Sequence, residues 1–254
     1  MLKNISISEN ITVKRQSGID LNIDVYDGVC PTSDSQINIL LLPGGSWLTA
    51  NYKPLAERFA IPLATLGYRC ITAQYSVATE AIWPAQIQDV KDLLEWLDDT
   101  VNLSESKDKR TLIAGKSAGG HLALMSPIIN ELPEGAPRIA GTVGIAPVIN
   151  IGSAIARDDI AKILGPEPSN QSIRDASPLE HISPDYPPTL LIHGTDDDRV
   201  NHASTLEMFQ LLEECNVPTD LLLLAGKGHS FDSEPEISKL MVSVIDLFIS
   251  RYIS

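Results

Sequence analysis

Two stretches near the start of the chain alternate between apolar and polar positions. Residues 5–13 and 19–26 place isoleucine, leucine and valine only at odd-numbered positions. A period of two predicts strands with one buried face, and the polar break at Gln16-Ser17-Gly18 predicts a hairpin between them. Residues 37–42 are almost continuously apolar, which is typical of a strand buried on both faces.

Beyond residue 37, apolar runs of strand length alternate with segments of helical spacing. Strands are predicted over 68–75, 111–114, 141–146, 189–193 and 220–224, and helices over 52–66, 87–97, 118–131, 203–215 and 236–252. This alternation predicts an α/β fold: a mostly parallel eight-stranded sheet with helices on both faces and the N-terminal antiparallel hairpin at one edge.

Residues 150–188 are less regular, with helical pieces near 156–164 and several prolines. We expect a short insertion over the carboxyl edge of the sheet, too short for an independent domain. Residues 1–254 are therefore predicted to form a single domain.

Composition narrows the classes of partner. With 19 basic and 33 acidic side chains, the formal net charge of −14 argues against nucleic acid or an anionic membrane. The three cysteines, Cys30, Cys70 and Cys215, are scattered, so we predict reduced thiols rather than a disulfide framework or a metal site. No apolar run is long enough to span a bilayer, and the start lacks the apolar core of a secretion signal, which predicts a cytoplasmic protein.

The most informative motif is Gly115-Lys116-Ser117-Ala118-Gly119, which reads G-x-S-x-G between a predicted strand and a predicted helix. A serine on such a sharp turn is a nucleophile elbow, where the flanking glycines avoid a clash as the backbone folds back. The N–H of Ala118 would lie at the positive end of the helix, where negative charge is stabilised.

A serine nucleophile needs a base, and the chain has five histidines. His229 stands in a glycine-rich loop after the last predicted strand, at the same sheet edge as the elbow, and is the predicted base. His121 shares the elbow helix and His193 ends a buried strand, so packing and a structural hydrogen bond are their expected roles. His181 and His202 are expected to be exposed.

The histidine in turn needs a carboxylate. Asp196, Asp197 and Asp198 follow the strand at 189–193, so the chain order is Ser, Asp, His, the order of α/β-hydrolases. Residue chemistry alone leaves the choice among the three aspartates open.

An oxyanion hole needs backbone N–H groups aimed at the carbonyl oxygen. Pro43-Gly44-Gly45-Ser46-Trp47 follows the buried strand at 37–42, and the N–H groups of Gly45 and Ser46 are the predicted donors beside Ala118.

Taken together, these motifs resemble those of compact α/β-hydrolase esterases of the bacterial feruloyl/acetyl esterase and kynurenine formamidase type, relatives of the hormone-sensitive-lipase-like enzymes. The resemblance covers nearly the whole chain from about residue 20. The matching segments are 44–47, 83–86, Asp89 with Val90, 115–123, 176–179, Pro188, 193–197 and 228–231.

The H-G-x-x-D spacing of this family falls on residues 193–197, which implies Asp197 as the acid. Pro43 stands where the family usually has a histidine that braces the oxyanion loop. The resemblance also implies no large cap domain and an open site that Trp47, Trp83 and Phe231 could wall.

The function expected from the sequence is that of a serine carboxylesterase acting on short-chain, acetyl-like esters. Ser117, His229 and Asp197 would form the triad, and Gly44, Gly45, Ser46 and Ala118 the oxyanion hole. No cofactor is implied, and the partner is a small-molecule ester, with the protein a monomer or homodimer. The alternatives are a kynurenine formamidase-like amidase and a non-catalytic ligand-binding protein of the same fold.

Overall fold

The computed structural model describes residues 5–15, 19–28, 37–97, 110–129, 138–154 and 157–253. Eight strands form one sheet in the order β1-β2-β4-β3-β5-β6-β7-β8. The strands are β1 (Ile5–Val13), β2 (Leu21–Gly28), β3 (Ile37–Leu42), β4 (Arg69–Ala73), β5 (Arg110–Lys116), β6 (Arg138–Ile145), β7 (Thr189–Gly194) and β8 (Thr219–Leu224).

The sheet is parallel from β4 to β8, and β1 and β2 add antiparallel strands at one edge. This confirms the predicted α/β fold with its antiparallel N-terminal strands; the turn at 16–18 lies outside the described residues. The chain runs from β3 to β4 on one side and then to β5 on the other. Ligand sites in such sheets open at this reversal, beyond the carboxyl ends of the two central strands.

The helices are α1 (Ile61–Thr65), α2 (Ala85–Trp96), α3 (Ala118–Met125), α4 (Ile151–Ala154), α5 (Arg157–Leu164), α6 (Asn170–Asp175), α7 (Ala203–Glu214) and α8 (Pro235–Tyr252). The helices cover both faces of the sheet because successive apolar side chains of a buried strand point to opposite faces, and both faces need covering. Ile39 and Leu41 of β3 lie in the hydrophobic core with α1 and α8, whereas Leu40 and Leu42 lie in the core with α2 and α3.

Two predicted helices differ from the observed ones. The segment predicted as a helix over 52–66 begins with a π-helical turn (Ala56–Ala60) that runs into α1. The helix predicted over 118–131 ends at Met125 and continues only as a 3₁₀ turn (Ser126–Ile128). Pro127 has no N–H to donate to Ala123, and the carbonyl of Ala123 accepts a 2.7 Å hydrogen bond from Ser126 Oγ instead.

The irregular segment at 150–188 contains α4, α5, α6 and a 3₁₀ turn (Pro178–His181). Two of its backbone carbonyls accept hydrogen bonds from the rest of the molecule: that of Ile163 from the N–H of Trp83 at 2.8 Å, and that of Ala176 from His121 Nε2 at 2.7 Å. The single-domain reading stays a prediction. Among the helices of the described ranges, none combines the length and the apolar character that crossing a membrane requires.

Candidate active site

The turn between β5 and α3 holds Ser117 in a left-handed backbone conformation, with φ of 53° and ψ of −116°. Both flanking glycines are sterically required. A Cβ on Gly119 would lie 2.5 Å from the carbonyl oxygen of Pro43 and closer still to that of Leu42, and a Cβ on Gly115 would overlap the carbonyl of Gly119. This strained turn lifts the serine hydroxyl above the carboxyl edge of the sheet.

The loop after β8 carries His229 to this hydroxyl. Its Nε2 lies 3.1 Å from Ser117 Oγ, and its Nδ1 lies 2.7 Å from Asp197 Oδ2. Since an ionised carboxylate only accepts hydrogen bonds, Nδ1–H donates to Asp197 and Nε2 accepts from the serine hydroxyl. Ser117 and His229 are 8% and 9% exposed, so this hydrogen-bonded pair is almost shielded from solvent.

Of the three aspartates that follow β7, only Asp197 points into this cluster; Asp196 and Asp198 are exposed. The side chain of Asp197 is fully buried. Burial alone would raise its pKa, but hydrogen bonds from His193, His229 and the N–H groups of Val200 and Arg199 outweigh burial and hold the pKa well below its usual range.

His193, at the carboxyl end of β7, was expected to make only a structural hydrogen bond, and the structure gives it a more specific position. Its Nε2 lies 3.1 Å from the same Asp197 Oδ2 that His229 contacts, and its Nδ1 lies 2.7 Å from Thr205 Oγ1. Two imidazoles therefore share one carboxylate oxygen. In the sequence, the only sign of this contact is that His193 and Asp197 are four residues apart.

The loop after β3 lies against the elbow. A Cβ on Gly44 would sit 3.4 Å from Ser117 Cβ, and Gly45 has φ of 145°, where a Cβ would overlap the carbonyl of Thr49. Among the described residues, no acceptor pairs with the N–H groups of Gly45, Ser46 and Ala118.

The usual histidine of this loop is replaced by Pro43, and the structure shows what holds the backbone there. The buried hydroxyl of Tyr75 donates a 2.9 Å hydrogen bond to the carbonyl of Pro43. The N–H groups of Leu48 and Thr49 bond the carbonyl of Gly45 at 2.9 and 3.1 Å and close the turn.

The three predicted pocket walls lie in different surroundings. Trp47 and Phe231 are 1% and 2% exposed and pack in the cores on opposite faces of the sheet, and their place in a pocket wall stays a prediction. Trp83 is half-buried and borders a cleft of about 800 Å³ formed by residues 78–85 and Gln88.

The remaining histidines make other contacts. His121 is fully buried with its ring against the indoles of Trp47 and Trp83, at centroid distances of 5.2 and 5.3 Å. Burial lowers its pKa to about 4, against the opposing effect of its hydrogen bond to Ala176. His181 and His202, expected to be exposed, are half-buried.

Solved structures share the fold of this chain. A truncated carbohydrate esterase from gut microbiota superposes with a TM-score of 0.79 at 19% identity, covering 96% of each chain. The propionate-bound esterase Est2 of Thermogutta terrifontis gives a TM-score of 0.78 at 18% identity, covering 98% of this chain and 95% of Est2. At identities this low, these superpositions show a common fold and nothing more.

Sequence comparison identifies relatives and the family. LipM of Mycobacterium tuberculosis (strain ATCC 25618 / H37Rv), named a probable carboxylic ester hydrolase, is 30% identical over 208 residues, which are 75% of this chain and 48% of LipM. The chain spans about half the length of the curated relatives it matches. The sequence model of the BD-FAE family matches residues 23–212, well over half of the chain. The protein therefore belongs to the BD-FAE family.

Proposed function

We propose that this protein is a serine carboxylesterase that hydrolyses short-chain, acetyl-like acyl esters through an acyl-enzyme intermediate. The observation that carries the proposal is the continuous hydrogen-bonded path from Ser117 Oγ through His229 to Asp197, with distances of 3.1 and 2.7 Å. Both lie within the reach that proton transfer requires. The names of the matched relative LipM and of the structural neighbours, all hydrolases of esters, support the same reaction.

The proposed reaction has two halves. Ser117 Oγ attacks the ester carbonyl carbon while His229 Nε2 takes the hydroxyl proton, and the imidazolium then returns that proton to the departing alcohol oxygen. Water next attacks the acyl-enzyme with the same nitrogen as base, and the carboxylic acid leaves as Ser117 regains its proton. Asp197, with its lowered pKa, stays ionised throughout and stabilises the imidazolium.

The tetrahedral intermediates carry a negative oxygen, and we assign its binding to backbone N–H groups. Those of Gly45 and Ser46 have no acceptor among the described residues, and their loop after β3 lies against the elbow at Gly44, which supports this assignment. The N–H of Ala118 opens α3, where the helix dipole adds to the stabilisation.

The preference for a short acyl group rests on the room around the nucleophile. Ser117 is only 8% exposed, which favours a small acyl group over a bulky one. Trp83 borders the cleft, and its ring contacts that of His121, one helical turn from Ser117, so this cleft would offer space to the larger half of an ester. The propionate-bound neighbour Est2 shows this fold with a short acid.

The decisive variant is Ser117→Ala. Its turnover of p-nitrophenyl acetate should fall by about 10⁴-fold or more, because the nucleophile acts as one unit with His229 and Asp197. A fluorophosphonate probe should label the wild-type protein and leave Ser117→Ala unlabelled. Wild-type activity in purified Ser117→Ala would refute the proposal.

Ser230→Ala is the matched control, because this exposed serine adjoins His229 and its side chain takes no part in the hydrogen-bonded path. It should keep full turnover and full labelling. Rates on acetyl esters should also exceed those on an aryl formamide; the reverse order would identify an amidase that uses the same residues.

A further inference from the structure

A buried carboxylate stands three residues after His229. Asp232 lies in a 3₁₀ turn (Phe231–Ser233), and its side chain is 0% exposed. Arg58 Nη1 donates a 2.7 Å hydrogen bond to its Oδ2, and Lys116 Nζ lies 2.6 Å from its Oδ1. The lysine contact is an ion pair whose angles are not those of a directed hydrogen bond.

The two cations come from different parts of the fold. Lys116 is the last residue of β5 and directly precedes Ser117, and its side chain is 16% exposed. Arg58 belongs to the π-helical turn that leads into α1 and is 34% exposed. Asp232 therefore connects the loop after β8 that carries His229, here called the histidine loop, to the elbow through Lys116. Through Arg58 it connects the same loop to the turn that leads into α1.

Lys116 also borders the oxyanion loop. A Cβ on Gly44 would lie 3.3 Å from the carbonyl oxygen of Lys116 and 3.7 Å from its Cδ, so the stem of the lysine runs beside this glycine. A single side chain thus touches the loop after β3, extends from the elbow and ends on the histidine loop.

We propose that Lys116 and Asp232 are positioning residues, which hold the histidine loop and the oxyanion loop in register with Ser117. The inference rests on the proposed esterase function. Neither residue contacts the reacting atoms in this arrangement; both act through the placement of His229 and Gly44. A buried carboxylate that loses one partner is left with uncompensated charge, so the loop that carries it would be expected to shift.

The test compares the two cations of one carboxylate. Lys116→Met removes the charge and keeps the apolar stem beside Gly44, whereas Arg58→Met removes the partner that does not touch the elbow. For Lys116→Met we expect kcat on p-nitrophenyl acetate to fall by about 10- to 100-fold with little change in KM, since small misplacements of reacting groups cost rates of this order. Arg58→Met should keep kcat within about twofold of the wild type, even if its melting temperature falls as far as that of Lys116→Met.

Conservative and double variants complete the design. Lys116→Arg should recover most of the lost kcat, because it restores the charge. Lys116→Met combined with Asp232→Asn should be no slower than Asp232→Asn alone if the two residues act as a pair. If Lys116→Met does not fold, comparing Asp232→Asn with Arg58→Met isolates the same contact.

The outcomes separate the two hypotheses. An inactive, unlabelled wild-type protein would overturn the esterase function together with this inference. An active wild type with unchanged kcat in Lys116→Met, or with equal losses in Arg58→Met, would overturn the positioning role alone.

Discussion

At the scale of single residues, one carboxylate oxygen, Asp197 Oδ2, is the hydrogen-bond acceptor for two histidines of the site. Asp197 Oδ2 accepts from His229 at 2.7 Å and from His193 at 3.1 Å, while Oδ1 accepts from the N–H groups of Val200 and Arg199 at 2.9 Å each. This set of donors keeps the carboxylate charged and fixes the plane in which it meets the imidazole of His229.

His121 gives the prediction that belongs to this scale. The pKa of this buried histidine is lowered to about 4 in the folded protein. In the unfolded chain His121 therefore binds a proton near pH 6.5, whereas in the folded protein it stays neutral at that pH. Stability should therefore fall as the pH drops from 6.5 towards 4, with His121 contributing about 2 kcal/mol of the loss by pH 5. Urea unfolding of the wild type and of His121→Gln at pH 8, 7 and 5 measures it.

His121→Gln stays neutral and can still donate to the carbonyl of Ala176. The two proteins should show parallel stability between pH 8 and 7 and diverge at pH 5, where the variant loses less. Equal losses at pH 5 would show that His121 takes up its proton in the folded protein.

The residues of the site were predictable to the extent that their roles are local. Ser117 and its flanking glycines could be predicted because the steric demands of the turn are met by five adjacent residues, 115–119. The choice among Asp196, Asp197 and Asp198 does not, since it depends on where the loops after β7 and β8 meet. For Trp47 and Phe231, whether a ring faces a core or a cleft is likewise decided by neighbours distant in the chain.

At the scale of elements, all eight predicted strands are present, and most bounds agree within two residues. Buried parallel strands are continuous apolar runs, so their sequences carry the signal without help from tertiary contacts. The helix after the elbow was overextended because its composition favours a helix up to residue 131, while Pro127 ends the regular hydrogen bonding.

The close contact between α3 and the end of β3 yields a prediction for this scale. Gly119→Ala would drive a Cβ into the carbonyl oxygens of Leu42 and Pro43, so we expect a loss of about 2 kcal/mol or more in the free energy of unfolding. Ester turnover should fall too, because the elbow and the oxyanion loop would move apart. Urea denaturation and p-nitrophenyl acetate assays measure the two effects.

Gly228→Ala is the control, since its added Cβ would meet only ordinary van der Waals contact, 3.6 Å from the carbonyl oxygen of Asp196. It should cost far less stability than Gly119→Ala. Wild-type stability in Gly119→Ala would mean that α3 can shift away from β3.

At the scale of the whole molecule, the strand order brings together groups that are far apart in sequence. The reversal at β3 places the loop after β3 beside the elbow after β5, and the loops after β7 and β8 close the site from the other side. The chain as a whole carries a formal net charge of −14, which repels an approaching ester that is itself negatively charged.

The charge predicts how the rate depends on salt. For an ester with a carboxylate on its acyl group, such as p-nitrophenyl hemisuccinate, kcat/KM should rise about two- to fivefold between 0.02 and 0.5 M NaCl, because salt screens the repulsion. Neutral p-nitrophenyl acetate is the control and should change little. A flat response for both esters would show that the acidic side chains lie too far from the entrance to matter.

The shielding of Ser117 and His229 has a consequence for what ends the reaction. Only 8% and 9% of these residues is exposed, and the departing alcohol and the incoming water would exchange a proton with the same nitrogen, His229 Nε2. In concentrated alcohol, a second alcohol molecule would then intercept the acylated serine in place of water. The proposed hydrolase would thereby act as a transacylase, and its partition between acid and new ester would report directly on how freely water enters.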